Sequence, residues 1–181
     1  MKIGALYHDV TRIEADLLVA PLWSGDRPPR GIAGYADWHL CGFLSRLILA
    51  GRLHGDAGET TLIAAQGRLL APRLLLLGCG RRDAPFDAEA GVAHAARAAG
   101  VAGDLRVSTV AIEVPVSETR AGLRSLVTRI GDAFAGVLPP NEGEVQLLTG
   151  SEEECERWRA AIRDAFPRGT ARGRGLSLPR R

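Results

Sequence analysis

At 181 residues the chain is long enough for one domain with a sizeable core, and a hydrophobic fraction of 46% excludes disorder of the whole chain. A formal net charge of +2 is too small to argue for nucleic acid or an anionic membrane surface. Lys2 is the sole lysine, so the basic charge is almost all arginine, and aromatics at 5% leave the core to Leu, Val, Ile and Ala.

In chain order, residues 2–7 read as a short first strand, 8–11 as a polar turn, and 15–22 (ADLLVAPL) as a second apolar strand. Residues 24–34 are dense in Gly and Pro and read as a loop. Asp37 is placed to cap a helix over 37–50, in which Trp38, Cys41, Leu44 and Ile48 recur at helical spacing and Gly51 is the stop. The chain is organised around residues 58–80, two apolar strands (60–65 and 73–77) joined by a short loop. The run Leu74-Leu75-Leu76-Leu77 has no polar interruption, which is how a strand buried on both faces of a sheet reads. Asp87 caps an Ala-rich helix over 88–99, ended by Gly100, and 107–114 is a β-branched strand. Ser117 opens a helix striped by Leu123, Val127, Ile130 and Phe134, with Pro139 and Pro140 beyond it. Residues 145–148 form a last strand. Ser151 and Glu154 make a capping box for a final helix that buries Cys155, Trp158, Ile162 and Phe166 before Pro167 stops it. The order β-β-α-β-β-α-β-α-β-α predicts an α/β domain over 1–166, a mixed sheet with helices on both faces. Residues 167–181, rich in Arg and Gly with no acid, read as a basic flexible tail.

Three cysteines, Cys41, Cys79 and Cys155, are odd in number and show no metal-ligand spacing, so reduced thiols in the cytoplasm are expected. The N-terminus has no signal-peptide core, and no stretch approaches the ~20 apolar residues of a membrane helix. His8, His39, His54 and His94 form no pair at metal spacing and read as surface or loop residues. Gly78-Cys79-Gly80 follows a strand and precedes a helix, where a phosphate-cradling turn sits in dinucleotide folds. Asp83 stands where the third glycine of that fingerprint belongs, which favours a structural turn. No Gly-x-Ser-x-Gly elbow, triad or convergent carboxylate pair stands out, so no catalytic residue, metal or cofactor is expected.

These features resemble the N-terminal domain of leucyl aminopeptidases over roughly residues 1–166. The matching residues are Ala15-Asp16-Leu17-Leu18-Val19, the helix over 37–50 with Gly51-Arg52-Leu53-His54-Gly55 after it, Gly58-Glu59-Thr60, and the strand ending Leu77-Gly78-Cys79-Gly80. The resemblance implies a three-layer α/β/α, macro-domain-like fold with a mixed, mainly parallel sheet of about six strands. It also implies that the two metal ions and catalytic lysine of those enzymes belong to a separate domain, for which this sequence carries no Asn-Thr-Asp-Ala-Glu-Gly-Arg segment.

The sequence is also similar to macro domains in their own right. By that likeness Asp9, followed by Val10, would face an adenine, Gly31, Ile32 and Gly34 would belong to a first glycine-rich loop, and Ser117 to a second phosphate loop. The departures are Ala20-Pro21-Leu22-Trp23 in place of Asn-Ala-Ala-Asn, and Pro115-Val116-Ser117-Glu118 without glycines. The first expectation is therefore a non-catalytic binding, oligomerisation or regulatory module that docks on itself or another chain. The alternative is a macro-like domain that binds or hydrolyses a nucleotide or ADP-ribose-type ligand between Asp9, Val10, Gly31, Ile32, Gly34, Gly78, Cys79, Gly80 and Ser117. That assignment of function rests on fold analogy.

Overall fold

The apolar runs at Leu17–Ser24 and Arg73–Arg81 become hydrogen-bonded neighbours inside one sheet. A computed structural model describes residues 1–7, 12–83, 86–116 and 119–167. Its elements are β1 (Lys2–Leu6), β2 (Leu17–Ser24), α1 (Gly31–His39), α2 (Phe43–Leu49), β3 (Thr60–Ala64), β4 (Arg73–Arg81), α3 (Ala88–Leu105), β5 (Thr109–Glu113), α4 (Arg120–Ala135), β6 (Glu144–Leu148) and α5 (Glu152–Ala165). Six strands lie in the order β1-β6-β5-β2-β4-β3, parallel throughout except for β3, which runs antiparallel to β4. The expected mixed, mainly parallel α/β/α arrangement is what forms.

Side chains alternate across a strand, so each inner strand feeds two cores. Leu17, Val19, Leu75 and Leu77 pack beneath the small and branched residues of α3, α4 and α5. Leu18, Ala20, Leu22, Leu74 and Leu76 face the other way, onto Ala33 and Ala36 of α1 and Leu44 and Ile48 of α2. Leu17, Leu18, Leu74, Leu75 and Leu77 are wholly buried. Each fully buried leucine contributes about 1.5–3 kcal/mol of transfer free energy. Asp16 fastens the start of β2 to the start of β5: its Oδ2 accepts from the backbone N–H groups of Ser108 and Thr109, both at 2.9 Å.

Several elements depart from the expected boundaries. The single helix over 37–50 is two helices, and the first begins at Gly31, inside the stretch read as loop. They part at Cys41 (φ 56°) and Gly42 (φ 73°), two successive left-handed residues that rotate the apolar stripe. Trp38 and Cys41, expected on the buried face, are exposed as a result. Asp37 does not open its own helix. It lies buried in the last turn of α1, where its carboxylate caps α2 by accepting from Leu44 N at 2.7 Å, Ser45 N at 3.1 Å and the Ser45 hydroxyl. α3 runs through Gly100, whose missing side chain faces open space, and ends only at left-handed Arg106. α4 is capped by Thr119, while Ser117 lies outside the described residues. The Ser151 cap forms as expected, accepting from Glu154 N at 3.1 Å, and Glu154 accepts from Gly150 N at 2.8 Å. Among the described residues no helix is long and apolar enough to cross a membrane. The basic stretch 168–181 lies outside them.

Candidate functional site

Five parallel strands place their C-terminal ends along one edge of the sheet, and the helices that follow begin there. The first four N–H groups of a helix have no partner inside it, and they carry the positive end of the helix dipole. At α1 the preceding residue, Arg30, provides no side-chain cap, and the first turn holds no acid. The partner comes instead from the end of β5. Glu113 Oε2 accepts the Ile32 N–H at 3.2 Å. A Cβ built on Gly31 (φ +59°) would lie 3.2 Å from Glu113 Oε1, so the carboxylate rests directly on the glycine. Burial pushes the Glu113 carboxyl above its usual range, the Ile32 hydrogen bond opposes that shift, and Glu154 adds to it. A phosphate seated at this helix start would share it with a carboxylate.

Beside it, Cys79 Sγ lies 3.8 Å from His94 Nδ1. His94, expected at the surface, projects from α3 into the core and is 3% exposed. Burial, with Arg97 nearby, lowers its pKa to about 4, and its Nε2 has no hydrogen-bond partner. Burial pushes the Cys79 thiol up to about 11. Near neutral pH the two groups are therefore a thiol and an uncharged imidazole, the opposite of the thiolate–imidazolium pair of a cysteine nucleophile. Aromatic and charged side chains pack together next to this pair. Trp23 meets Phe86 edge-on with ring centres 5.3 Å apart, and Phe86 meets His94 at 6.0 Å. The Arg82 guanidinium lies 5.0 Å from the centre of the Trp23 ring and is held there by both carboxylate oxygens of Asp26.

Gly78-Cys79-Gly80 does not follow the strand; it belongs to β4, which continues to Arg81. A Cβ on Gly78 would fall 1.9 Å from the Asp56 carbonyl oxygen, so only glycine permits this approach of two backbones. Gly78 N donates to Glu59 O at 2.8 Å and Gly80 N to Gly55 O at 2.9 Å, which commits both amides within the fold. Arg97 of α3 clamps the same place by donating to Gly78 O at 3.3 Å and Thr60 Oγ1 at 2.9 Å.

Of the residues expected at a ligand cleft, Gly31 and Ile32 lie against Glu113, and Gly78, Cys79 and Gly80 lie at the end of neighbouring β4. Gly34 is one turn into α1, where a Cβ would meet Pro29 O at 2.6 Å. Asp9, Val10 and Ser117 lie outside the described residues. Local pattern does not mark Glu113 or His94 for this edge. Glu113 is a charge ending a β-branched strand, and His94 sits four residues before Ala98 on a small-residue stripe, which are the signals each offered. Among the described residues no group of three His, Cys, Asp or Glu side chains is placed to hold a metal ion.

A second feature lies on the opposite layer. Tyr35 and Trp38, one turn apart on α1, are 65% and 80% exposed, and Phe43 and Leu49 on α2 are 39% and 76% exposed. Arg46 stands between the latter two at three-residue steps. Its guanidinium carbon is 6.0 Å from the centre of the Phe43 ring, and its Nη1 donates to Cys41 O at 2.6 Å. Between residues 31 and 55 the one carboxylate is that of Asp37, which is buried under the cap of α2.

Residues 25–133 match the family described as the cytosol aminopeptidase family, N-terminal domain. A probable cytosol aminopeptidase of Roseiflexus castenholzii is 34% identical over 195 aligned residues, spanning 99% of this chain and 36% of the relative. One from Alkaliphilus oremlandii is 30% identical over 81 residues, 45% of this chain and 16% of its own length. The chain thus spans about a third or less of these relatives. Among solved structures, a tomato leucine aminopeptidase mutant superposes with a TM-score of 0.60 at 18% identity, covering 91% of this chain and 36% of that one. A Trypanosoma brucei macrodomain in complex with ADP gives 0.68 at 13% identity, covering 89% and 69%. At such identities these two likenesses speak for the fold alone.

Proposed function

Because the chain belongs to the cytosol aminopeptidase family, in which it matches the N-terminal domain, we propose that it works as a non-catalytic binding module that docks on protein. The observation that carries this reading is Glu113 on the N-terminus of α1. This helix start already holds the Glu113 carboxyl on Ile32 N–H, so a phosphate placed beside it competes for the same donor in a poorly solvated place. The Gly78 and Gly80 amides are spent within the fold. Cys79 and His94 are held in forms that favour neither nucleophilic attack nor proton transfer near neutral pH. Among the described residues, α1 exposes Tyr35 and Trp38 and α2 exposes Phe43, aromatic residues of the kind enriched at protein interfaces.

The second reading, a macro-like domain that takes ADP-ribose or a related nucleotide, is supported by the likeness to a macrodomain in complex with ADP. Thermal unfolding with ADP-ribose separates the two. A ligand present at about 100 times its dissociation constant stabilises a fold by about 2.7 kcal/mol, a shift of several degrees. The docking reading expects a flat melting temperature up to millimolar ADP-ribose. A saturable rise overturns it in favour of the nucleotide reading.

A further inference from the structure

We propose that the groove between α4 and α5 is a docking site for an extended acidic segment of a partner protein, an inference that rests on the docking reading above and gives the partner its chemistry. α4 buries Leu123, Val127, Ile130 and Phe134 against the sheet. Arg120, Arg124 and Thr128 recur at four-residue steps and so share another face of the helix. With Ala121, Ser125 and, from α5, Asp164, they line one open groove of about 510 Å³.

The three arginines of α4 are unequally spent. Arg129 is closed: its two terminal nitrogens donate to the two different carboxylate oxygens of Glu89 on α3. Arg120 donates through Nε and Nη2 to a single oxygen of Asp164, Oδ2, at 3.0 and 2.8 Å. That contact holds the guanidinium at the groove without using its Nη1 donors. Arg124, exposed in the same groove, pairs with no carboxylate among the described residues. Ser125 adds an exposed hydroxyl, and the Thr128 hydroxyl donates to Arg124 O at 3.0 Å. Two cations thus face one carboxylate, and the complement of that lining is an anion. The spacing selects its form. One turn of helix sets Arg120 and Arg124 ~6 Å apart along the axis. Alternate residues of an extended chain point to one side at ~7 Å intervals, so acids at every second position meet both guanidiniums together. A single small anion has no such repeat to match.

The test is an NMR titration of the full chain with a Glu-Ala-Glu-Ala-Glu peptide, following backbone amides. Arg124→Gln and Asp164→Asn stand beside the parent, with Arg52→Gln, an exposed arginine beyond α2, as the control for net charge. All these positions are exposed, and circular dichroism checks that the fold is kept. The inference expects saturable shifts centred on residues 120–128, with a dissociation constant below about 1 mM. Arg124→Gln is expected to weaken binding about 5-fold or more, as for a lost charge-assisted hydrogen bond. Asp164→Asn is expected to tighten it about 2-fold or more, because the like charge goes and Arg120 is released. Raising salt from about 50 mM to about 500 mM should weaken it. No saturable shift up to several millimolar peptide overturns the inference. So do shifts confined to residues 168–181, which would mean that the basic C-terminal stretch alone attracts the acids. Binding that Arg124→Gln leaves unchanged, that Asp164→Asn fails to tighten, or that Arg52→Gln weakens as much as Arg124→Gln overturns it as well. Each of these outcomes strikes the groove and leaves protein docking elsewhere standing; a rise in melting temperature with ADP-ribose is the separate result that strikes the docking reading itself.

Discussion

Glu113 Oε2 accepts the backbone N–H of Ile32 at 3.2 Å, joining the end of β5 to the start of α1 across 81 positions of sequence. The contact serves the helix, whose first turn has no acid and whose preceding Arg30 makes no side-chain cap. It also occupies the place where the same helix would otherwise hold an anion.

Glu113→Gln keeps an acceptor for Ile32 N–H while removing the charge. Burial raises the folded-state pKa of Glu113, so the ionised form is the one the fold disfavours. A carboxyl raised in this way detracts from stability progressively as pH rises from its unfolded value through its folded one, and the loss is complete above both. Glu113→Gln is therefore expected to melt at a higher temperature than the parent at pH 7. The gain should shrink towards nothing as the pH falls to about 4, below the ordinary glutamate pKa. Melting curves at several pH values check it, and a variant less stable than the parent at pH 7 contradicts the sign.

His94 acts in the other direction. Its folded pKa of about 4 lies below the ordinary value of 6.5 because burial disfavours the imidazolium. The stability held by the neutral ring is fully present above pH 6.5 and is lost as pH falls towards 4. A shift of this size corresponds to about 3 kcal/mol over that window. Urea titrations of the parent should show that slope. His94→Gln, unable to ionise, should flatten it at the cost of some stability at pH 7.

Asp37→Ala removes a buried carboxylate that accepts three hydrogen bonds from Leu44 and Ser45. Loss of a helix cap costs ~0.5–2 kcal/mol, and leaving buried donors unmatched adds to it, so a loss of about 2–3 kcal/mol is expected in urea unfolding. Asp37→Asn, with one acceptor oxygen left, should recover part of it. A loss confined to a few tenths would mean that solvent takes over the cap.

Much of the fold was legible in local pattern. Leu74 to Leu77 announced a strand buried on both faces, Asp87 and Ser151 announced helix starts, and Leu123, Val127, Ile130 and Phe134 form the buried stripe their spacing implies. Those signals depend only on neighbours within a few residues. The break between α1 and α2 escaped the same reading because Cys41 is left-handed without being a residue type that favours it. With Gly42 it turns the chain by an angle that hydrophobic spacing cannot register. Helical spacing predicts a buried Trp38, but the turn leaves it outside, and Asp37 caps the next helix instead of its own.

By itself the sequence determined the α/β class, the strands and the caps of α3 and α5, because propensity and burial periodicity are properties of short segments. It also carried the likeness to the aminopeptidase N-terminal domain. Only the tertiary structure decided what occupies the edge of the sheet and what faces outward. Strand order places β5 beside β2, so Glu113 reaches the start of the helix that follows β2, and α3 carries His94 to Cys79 at the end of β4. These encounters join residues far apart in the chain, and their charge states follow from burial that no local pattern specifies. The physical reason is that a helix N-terminus is satisfied by whichever acceptor the packed fold delivers, here a glutamate that folding brings from another strand.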